Sequence, residues 1–381
     1  MTNNKQRVIT AMNLGTPDRV PLMCQFSIGS MMHQLKPDPV AFWYDMKTFA
    51  DGLIQLREMF HFDGILVSLH GHSDDWKTGL LQTEKINVGK TILHYEDRSE
   101  EHSWTDLPVV HFLNPKPAKT LEDIDINRDV PDEPDYIPVS GNLYFRLNRE
   151  KMYSIFDYID DRVGDQFSIH GEITSPFDYF LDLFGYQDGL MALMFDPDKC
   201  KQILARYTEG VKRIAVGMCR KNIDAIKISS PFAGMGFISP EFYREFVLPC
   251  EREIITAIRQ QGKHAYIHTC GSIDDRLELM CESGASGLEC LDPVPVGNVD
   301  LEDAFRRIGD RMFIKGNIDS VNTLLAGDDE KVRTDVRKII ETGKTKGKGF
   351  ILSTACSVAP LVTKERIIML SEMIAEYGSY H

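Results

Sequence analysis

The chain has no long apolar run. None of its 381 residues belongs to a stretch that approaches the roughly 18 uninterrupted apolar residues of a membrane span. The first residues also lack the apolar segment typical of a secretory leader. These absences argue against a membrane protein and against secretion, so we expect a cytoplasmic location.

Positive charge is also scarce. The sequence contains 43 lysines and arginines against 57 aspartates and glutamates, which gives a formal net charge of −14. Nonspecific binding to nucleic acid or to an anionic membrane requires a basic face. We therefore expect neither partner.

Cysteine is limited to eight residues, and the sequence has no internal repeat or low-complexity tract. In a cytoplasmic protein these cysteines should be thiols. Six of them are expected to act as small buried hydrophobic residues: Cys24, Cys200, Cys219, Cys250, Cys281 and Cys290.

Short apolar segments alternate with helical patterns along the chain. The predicted strands cover residues 22–26, 63–69, 166–172, 225–229, 264–271, 286–291, 312–316 and 350–354. Continuous apolar strands that alternate with helices indicate a parallel sheet buried on both faces, and eight of them predict a closed (β/α)8 TIM barrel of the α/β class. The active site of this fold lies at the carboxyl ends of the strands.

The alternation breaks between about residues 76 and 150. Residues 86–95 predict a hairpin that turns near Gly89, and proline-rich segments follow as far as Pro138. We interpret this part as an insertion on the barrel rim after the second strand. Residues 1–381 are then one TIM-barrel domain.

The stretch from His264 to Gly271 is the most distinctive part of the sequence. His268 and Cys270 lie two residues apart, so in a strand their side chains point to the same face. A second apolar run ends at Cys356. Two strands that end in soft ligands predict a His/Cys/Cys zinc site with an open fourth position, typical of catalytic zinc. The alternative is two ordinary core thiols and a hydrogen-bonded histidine.

With these residues the chain resembles the uroporphyrinogen decarboxylase superfamily, and within it the zinc-dependent, corrinoid-linked methyltransferases. The motifs that carry the resemblance are Thr16-Pro-Asp-Arg-Val-Pro21, residues 171–177, His268-Thr-Cys-Gly271, Gly316-Asn-Ile-Asp319 and Cys356. Decarboxylases carry an arginine-rich segment after the first strand, whereas residues 25–32 here contain no arginine. Because a porphyrin with many carboxylates needs fixed cations, this departure argues against decarboxylation.

The resemblance implies methyl transfer between a small methylated substrate and a corrinoid (cobamide) carried by a partner protein, and it points to a homodimer. Zinc would then activate a thiol or stabilise a departing oxygen, while the corrinoid supplies the difficult step. We favour O-demethylation of a methoxylated aromatic substrate because of an aromatic run after residue 176 and the rim insertion. The alternatives are transfer from a methylated corrinoid to a thiol such as coenzyme M, porphyrinogen decarboxylation, and a non-catalytic tetrapyrrole binder.

Several other residues have two roles open to them. By the resemblance, Glu289 fills the open zinc position when substrate is absent; otherwise it is a carboxylate of the barrel mouth. Glu172 could protonate a leaving group or form a buried salt bridge. His70 and His72 follow the second predicted strand and could contact substrate or corrinoid, or be structural.

The remaining candidates are substrate contacts. Phe177 and Tyr179 could wall a pocket for an aromatic ring, or pack a helix against the barrel. Asn317 and Asp319 match the family's loop after the seventh strand, where such residues either touch substrate or fix the turn.

Overall fold

A computed structural model describes residues 3–114, 119–140, 143–345 and 347–380. The strands in this part of the chain are β1 Gly64–Val67, β2 Leu80–Asn87, β3 Lys90–Tyr95, β4 Arg98–Ser103, β5 Val109–Phe112, β6 Tyr136–Ser140, β7 Leu143–Arg146, β8 Ser168–Thr174, β9 Ala225–Ser229, β10 His264–Thr269, β11 Gly287–Cys290, β12 Phe313–Ile318 and β13 Phe350–Thr354. A curled parallel sheet with the order β1-β8-β9-β10-β11-β12-β13 forms the centre. The predicted TIM barrel is confirmed.

The first predicted strand, residues 22–26, is not a regular strand. Only Leu22 and Phe26 form isolated parallel bridges, to Leu352 and Val358 respectively. On the other side, the Asp63 amide donates to the Leu22 carbonyl at 2.8 Å. The segment therefore fills the position between β13 and β1, but it is too irregular to form a continuous ladder.

The α-helices are α1 Asn4–Met12, α2 Ile28–Leu35, α3 Pro39–Tyr44, α4 Met46–Phe60, α5 Ile126–Asp129, α6 Ser154–Val163, α7 Pro176–Phe184, α8 Tyr186–Phe195, α9 Pro197–Cys219, α10 Pro240–Phe242, α11 Leu248–Gln260, α12 Leu277–Glu282, α13 Leu301–Ile308, α14 Asp329–Lys344 and α15 Lys364–Tyr377. Two π-helical segments, Tyr243–Val247 and Ser320–Leu325, interrupt this pattern. Among the described residues, no helix is both long and apolar enough to cross a membrane.

Local sequence explains the start and end of α7. Ser175 accepts a hydrogen bond from the Asp178 amide as the N-cap, and Pro176 occupies the first turn, where its missing N–H has no cost. The sequence predicts one helix over residues 176–195, but the chain breaks at Gly185. That residue has a φ of 81°, a conformation that glycine adopts without strain.

Residues between β1 and β8 form two antiparallel sheets, β2-β3-β4-β5 and β6-β7. The hairpin predicted over residues 86–95 is confirmed, because Asn87 pairs with Lys90 across the turn. Residues 115–118 of the proline-rich segment lie outside the described residues.

The barrel strands are buried, as an inner sheet covered by helices requires. Every residue of β1, β11, β12 and β13 is buried. Charged residues also lie in this interior, including Lys227, Glu289 and Lys315. Buried charges require partners, so these residues direct attention to the site at the strand ends.

Candidate metal centre

Strand β10 positions the histidine of the site. His268 pairs in register with Glu289 of β11 and with Ser229 of β9. Parallel strands in a barrel bring residues of one layer together, so His268 lies level with these neighbours near the carboxyl ends of the strands.

The structure brings the three predicted ligands together. His268 Nε2 lies 3.3 Å from Cys270 Sγ, and Cys270 Sγ lies 3.6 Å from Cys356 Sγ. Two thiolates at Zn–S distances near 2.3 Å and a tetrahedral angle would lie roughly 3.8 Å apart. Contacts with the thiols of Cys290 and Cys356 lower the pKa of Cys270 well below its ordinary value, which favours the thiolate that metals bind. The donor set fits zinc.

A third sulfur, that of Cys290, also lies here. The ligand atoms of His268, Cys270 and Cys290 are all within 4.8 Å of one another. Cys290 Sγ donates to Asp292 Oδ2 at 3.1 Å, and burial raises the pKa of its thiol well above its ordinary value. Cys290 is therefore a second thiol beside Cys270, in addition to Cys356.

Two lysines hold Glu289. Lys315 Nζ contacts its Oε1, and Lys227 Nζ lies 3.6 Å from its Oε2. Burial disfavours the charge of Glu289, but the two lysines outweigh it and lower the pKa of Glu289 well below its ordinary value. Oε2 accepts a hydrogen bond of 2.8 Å from His268 Nδ1. Because Nδ1 carries that hydrogen, Nε2 is available as the ligand nitrogen.

Glu289 thus contacts the imidazole nitrogen opposite to the one that faces the thiols. Carboxylates in this position orient metal-ligating histidines in many proteins. The expectation that Glu289 occupies the open metal position stays a prediction.

Glu172 continues the network away from the candidate metal ligands. Lys227 Nζ lies 3.2 Å from Glu172 Oε2 and also contacts Gln25 Oε1. Both Glu172 and Gln25 line a cavity of about 310 Å³ at the carboxyl ends of the strands. Ser357, which follows Cys356, lines it as well. The cavity therefore adjoins the metal candidates.

We call this space the rim cavity. It is lined by Gln25, Phe26, Ser27, Ile28, Trp43, Ser68, Leu69, Asp106, Leu107, Ile137, Pro138, Val139, Glu172, Thr174, Asp178, Tyr186, Ser229, Pro231, Phe232 and Ser357. Aromatic and aliphatic side chains with a few convergent polar groups are typical of a small-molecule site.

His70 and His72 lie elsewhere. Both are buried, and His72 packs its ring against Phe49 and Phe145. Burial lowers the pKa of His70 to about 4 and that of His72 to about 3, so both rings are neutral at physiological pH. Neither lines the rim cavity, and their predicted catalytic role stays untested.

The four predicted substrate contacts have structural partners. Phe177 is buried in the core, and Tyr179 donates its hydroxyl to the carbonyl of Tyr136 at 2.7 Å. Asn317 donates to the Leu291 carbonyl at 3.0 Å. Asp319 accepts hydrogen bonds from the first amides of the π-helical segment that follows it. Helix packing and turn fixation account for all of these contacts, and none of the four lines the rim cavity.

Sequence reasoning missed Lys227, Lys315 and Asp178. Each lysine stands in the middle of an apolar strand, and a lysine at such a position needs a buried carboxylate partner. That signal was available in the sequence. No such signal marked Asp178, because an acidic residue in the first turn of a helix is ordinary.

Comparison with known proteins identifies the family. The chain matches the uroporphyrinogen decarboxylase (URO-D) family over residues 138–377. It belongs to this family. It is 25% identical to the methylcobamide:CoM methyltransferase MtaA of Methanosarcina barkeri over 61% of this chain and 66% of that protein. It is 22% identical to the methylcobamide:CoM methyltransferase MtbA of Methanosarcina mazei over 98% of both chains.

A solved structure agrees with the barrel. A methyltransferase from Methanosarcina mazei superposes with a TM-score of 0.72 at 21% identity and covers 99% of each chain. This structure supports the barrel fold, and the two named relatives confirm the predicted resemblance to the corrinoid-linked methyltransferases.

Proposed function

We propose that the chain is a zinc-dependent methyltransferase that moves a methyl group between a small methylated substrate and a corrinoid carried by a partner protein. The observation that carries this proposal is the convergence of His268 Nε2 with the sulfurs of Cys270 and Cys356 beside the rim cavity. The names of the relatives support the corrinoid as the second reactant.

The residues of the chain would prepare the reaction in two ways. Glu289 fixes the orientation of the His268 ring, so that Nε2 points toward the thiols. Lys227 bridges Glu172 and Glu289 and keeps both carboxylates in place. Zinc bound here supplies a Lewis acid that can hold a thiolate or draw charge from a departing oxygen.

For the substrate we favour a methoxylated aromatic compound, which would be O-demethylated. Phe26, Trp43, Tyr186 and Phe232 give the rim cavity aromatic walls. Glu172 lines the same cavity, where it could relay a proton from Lys227 to the oxygen that loses the methyl group. The names of the relatives favour a second candidate, methyl transfer to a thiol of the coenzyme M type.

The test supplies the full-length, zinc-loaded protein with a reduced corrinoid and with methyl ethers, methylamines or methyl thiols in parallel. We expect absorbance changes of corrinoid methylation with an aromatic methyl ether. Addition of a thiol should release no proton, because no acceptor thiolate forms. If methyl transfer occurs only with thiols, and thiol binding releases a proton, the function is methyl transfer to a thiol and not O-demethylation.

The corrinoid should arrive from outside the chain at the barrel mouth. We expect its binding to be transient. Stoichiometric corrinoid that co-purifies tightly with this chain alone would contradict a separate carrier protein.

A further inference from the structure

Three sulfurs lie near His268, although the predicted metal site uses only two of them. Cys290 has no part in that prediction. The ligand atoms of His268, Cys270 and Cys290 are nevertheless all within 4.8 Å of one another. Cys270 links this group to the second predicted thiol, because its Sγ lies 3.6 Å from Cys356 Sγ. Four donor atoms therefore gather at the carboxyl ends of β10, β11 and β13.

Glu289, the residue expected in the open metal position, is engaged elsewhere. Its Oε2 accepts a hydrogen bond from His268 Nδ1, the ring nitrogen that faces away from the thiols. Its Oε1 contacts Lys315 Nζ, and Lys227 Nζ lies 3.6 Å from Oε2. Both lysines are fully buried, so the loss of this carboxylate partner would be costly. Another donor is therefore better placed for the fourth position.

Strand β11 ends at Cys290 in an unfavourable backbone conformation. The φ angle is 89° at Cys290 and 56° at Leu291, although neither residue is glycine. Such conformations persist only where the surrounding structure enforces them, which is common at functional sites. Side chains alternate along a strand, so Cys290 should point away from the face that Glu289 shares with His268. The backbone departure explains why its sulfur instead lies close to His268.

Asp292 holds the Cys290 thiol in this place. Cys290 Sγ donates to Asp292 Oδ2 at 3.1 Å, and the amide of Gly271 donates to the same oxygen at 2.7 Å. The carboxylate thus ties Cys290 to the residue that follows Cys270. A metal ion deprotonates a thiol that coordinates it, and Asp292 Oδ2 is the acceptor in contact with that proton. Hydrogen-bonded partners of this kind are typical of metal ligands.

The exposure of the three thiols differs. Cys290 is buried, whereas Cys270 and Cys356 are partly exposed. A metal ion can therefore enter past the two exposed sulfurs and meet Cys290 behind them. Burial of Cys290 is what a ligand on the closed side of the site requires.

We propose that Cys290 is a third thiolate ligand of the zinc ion and takes the position that was expected for Glu289. Three cysteines and one histidine form a donor set that zinc commonly has in proteins. A site of this kind still admits a substrate atom, because zinc coordination expands to five ligands in some enzymes. The inference rests on the zinc site of the proposed function and adds a ligand that the family resemblance does not assign.

X-ray absorption at the zinc edge counts the sulfurs that are bound to the metal. The sample is the full-length protein loaded with zinc and kept reduced without any added thiol. In the wild type we expect three sulfurs at about 2.3 Å and one nitrogen at about 2.0 Å. Cys290→Ala should show two sulfurs, because one of the three thiolates is gone.

The matched control is Cys250→Ala. Cys250 is also a buried thiol, and its Sγ donates to the Phe246 carbonyl at 3.4 Å, but it stands on α11 and outside the site. This variant should keep three sulfurs at the metal, as the wild type does. Loss of a sulfur in the control as well would overturn the assignment to Cys290.

The outcomes separate this inference from the proposed function. Two sulfurs and an oxygen in the wild type would overturn it, since that set is expected if Glu289 binds the metal. An unchanged sulfur count in Cys290→Ala would overturn it too. If this variant does not fold, the wild-type count decides, because Cys290 is the remaining thiol beside His268 among the described residues. Three sulfurs without methyl transfer would count against the proposed function alone, whereas a wild type that binds no zinc would overturn both.

Discussion

Buried carboxyl groups are paired to different extents at the two ends of the barrel, apart from Glu289, which two lysines hold at the carboxyl end. At the amino end, Asp63 is fully buried before β1 and accepts hydrogen bonds from Arg7, Arg19 and the amide of Leu22, at 2.7, 2.9 and 2.8 Å. At the carboxyl end, Oδ1 of Asp178 and Oε1 of Glu251 have no partner among the described residues.

This difference indicates what each end does. Full pairing of a buried carboxylate with two guanidinium groups ties the N-terminal segment to the first strand, which serves stability. Unpaired buried polar atoms at the carboxyl end cost stability instead. The barrel fold shows the same division in general, with function at the carboxyl ends of the strands and stability at the amino ends.

The largest effect is expected from loss of a thiol at the carboxyl end. Cys356→Ala should abolish methyl transfer, because the sulfur 3.6 Å from Cys270 Sγ is gone. The thermal midpoint should change little, since a catalytic metal contributes little to a core of this size. Methyl-transfer assays and thermal melts check this. Cys200→Ala, which removes a buried thiol outside the site, is the control for activity.

Glu172→Gln should slow demethylation by roughly 10²–10⁴, the usual range for loss of a general acid, with zinc still bound. The substitution keeps the shape of the side chain next to Lys227. Steady-state rates with an aromatic methyl ether, together with metal analysis, provide the measurement. Full activity would make Glu172 a structural partner of Lys227 only.

At the amino end, Asp63→Ala should lower the free energy of unfolding by about 3–5 kcal/mol, because it removes a buried partner of two arginines. Zinc content should stay unchanged. Denaturant unfolding measures the effect, with Arg337→Ala of the exposed Arg337–Glu341 pair as a control that should cost less than about 1 kcal/mol. Equal losses in the two variants would contradict a special role for Asp63.

The stability contributed by carboxyl groups at the two ends should change with pH in opposite directions. At the amino end, the hydrogen bond from Arg7 lowers the pKa of Asp18. The stability that this pair contributes is therefore present above the ordinary pKa of Asp18 and is lost as pH falls through the lowered pKa. Burial raises the pKa of Asp178 to about 8 and that of Glu251 to about 7. The folded state therefore holds protons that the unfolded chain releases, and this part of the stability is lost as pH rises toward 8.

Urea unfolding at about pH 5 and about pH 8 tests the carboxyl-end contribution. The wild type should lose stability over this interval, and Asp178→Asn should lose less of it. An identical pH dependence in the two proteins would show that Asp178 does not hold a proton in the folded state.

The sequence predicted the barrel and the meeting of His268, Cys270 and Cys356 because both depend on local pattern. Alternation in β10 puts His268 on an inner face, and parallel strands bring their carboxyl ends together. The irregular segment at residues 22–26 was not predictable in this way. Its short apolar run has strand character, but its neighbours, β13 and β1, are distant in sequence.

The sequence pattern also could not predict which charged residues pair across neighbouring strands. The partner of Lys315 is Glu289 on the neighbouring strand, and the pairing depends on the register between β11 and β12. Cys290 was expected to be an ordinary core thiol, yet it lies beside Cys270 at the end of β11. Its backbone has a φ of 89°, a conformation that only the folded structure reveals.

Metal content tests the central claim most directly. Mass spectrometry of the wild-type chain, purified without chelator, should find about one zinc per chain, as expected for a single His/Cys/Cys site. Cys270→Ala should contain none above background and remain folded, while Asp63→Ala should keep its zinc. A wild-type chain without bound metal, or a Cys270→Ala variant that retains full zinc, would contradict the account.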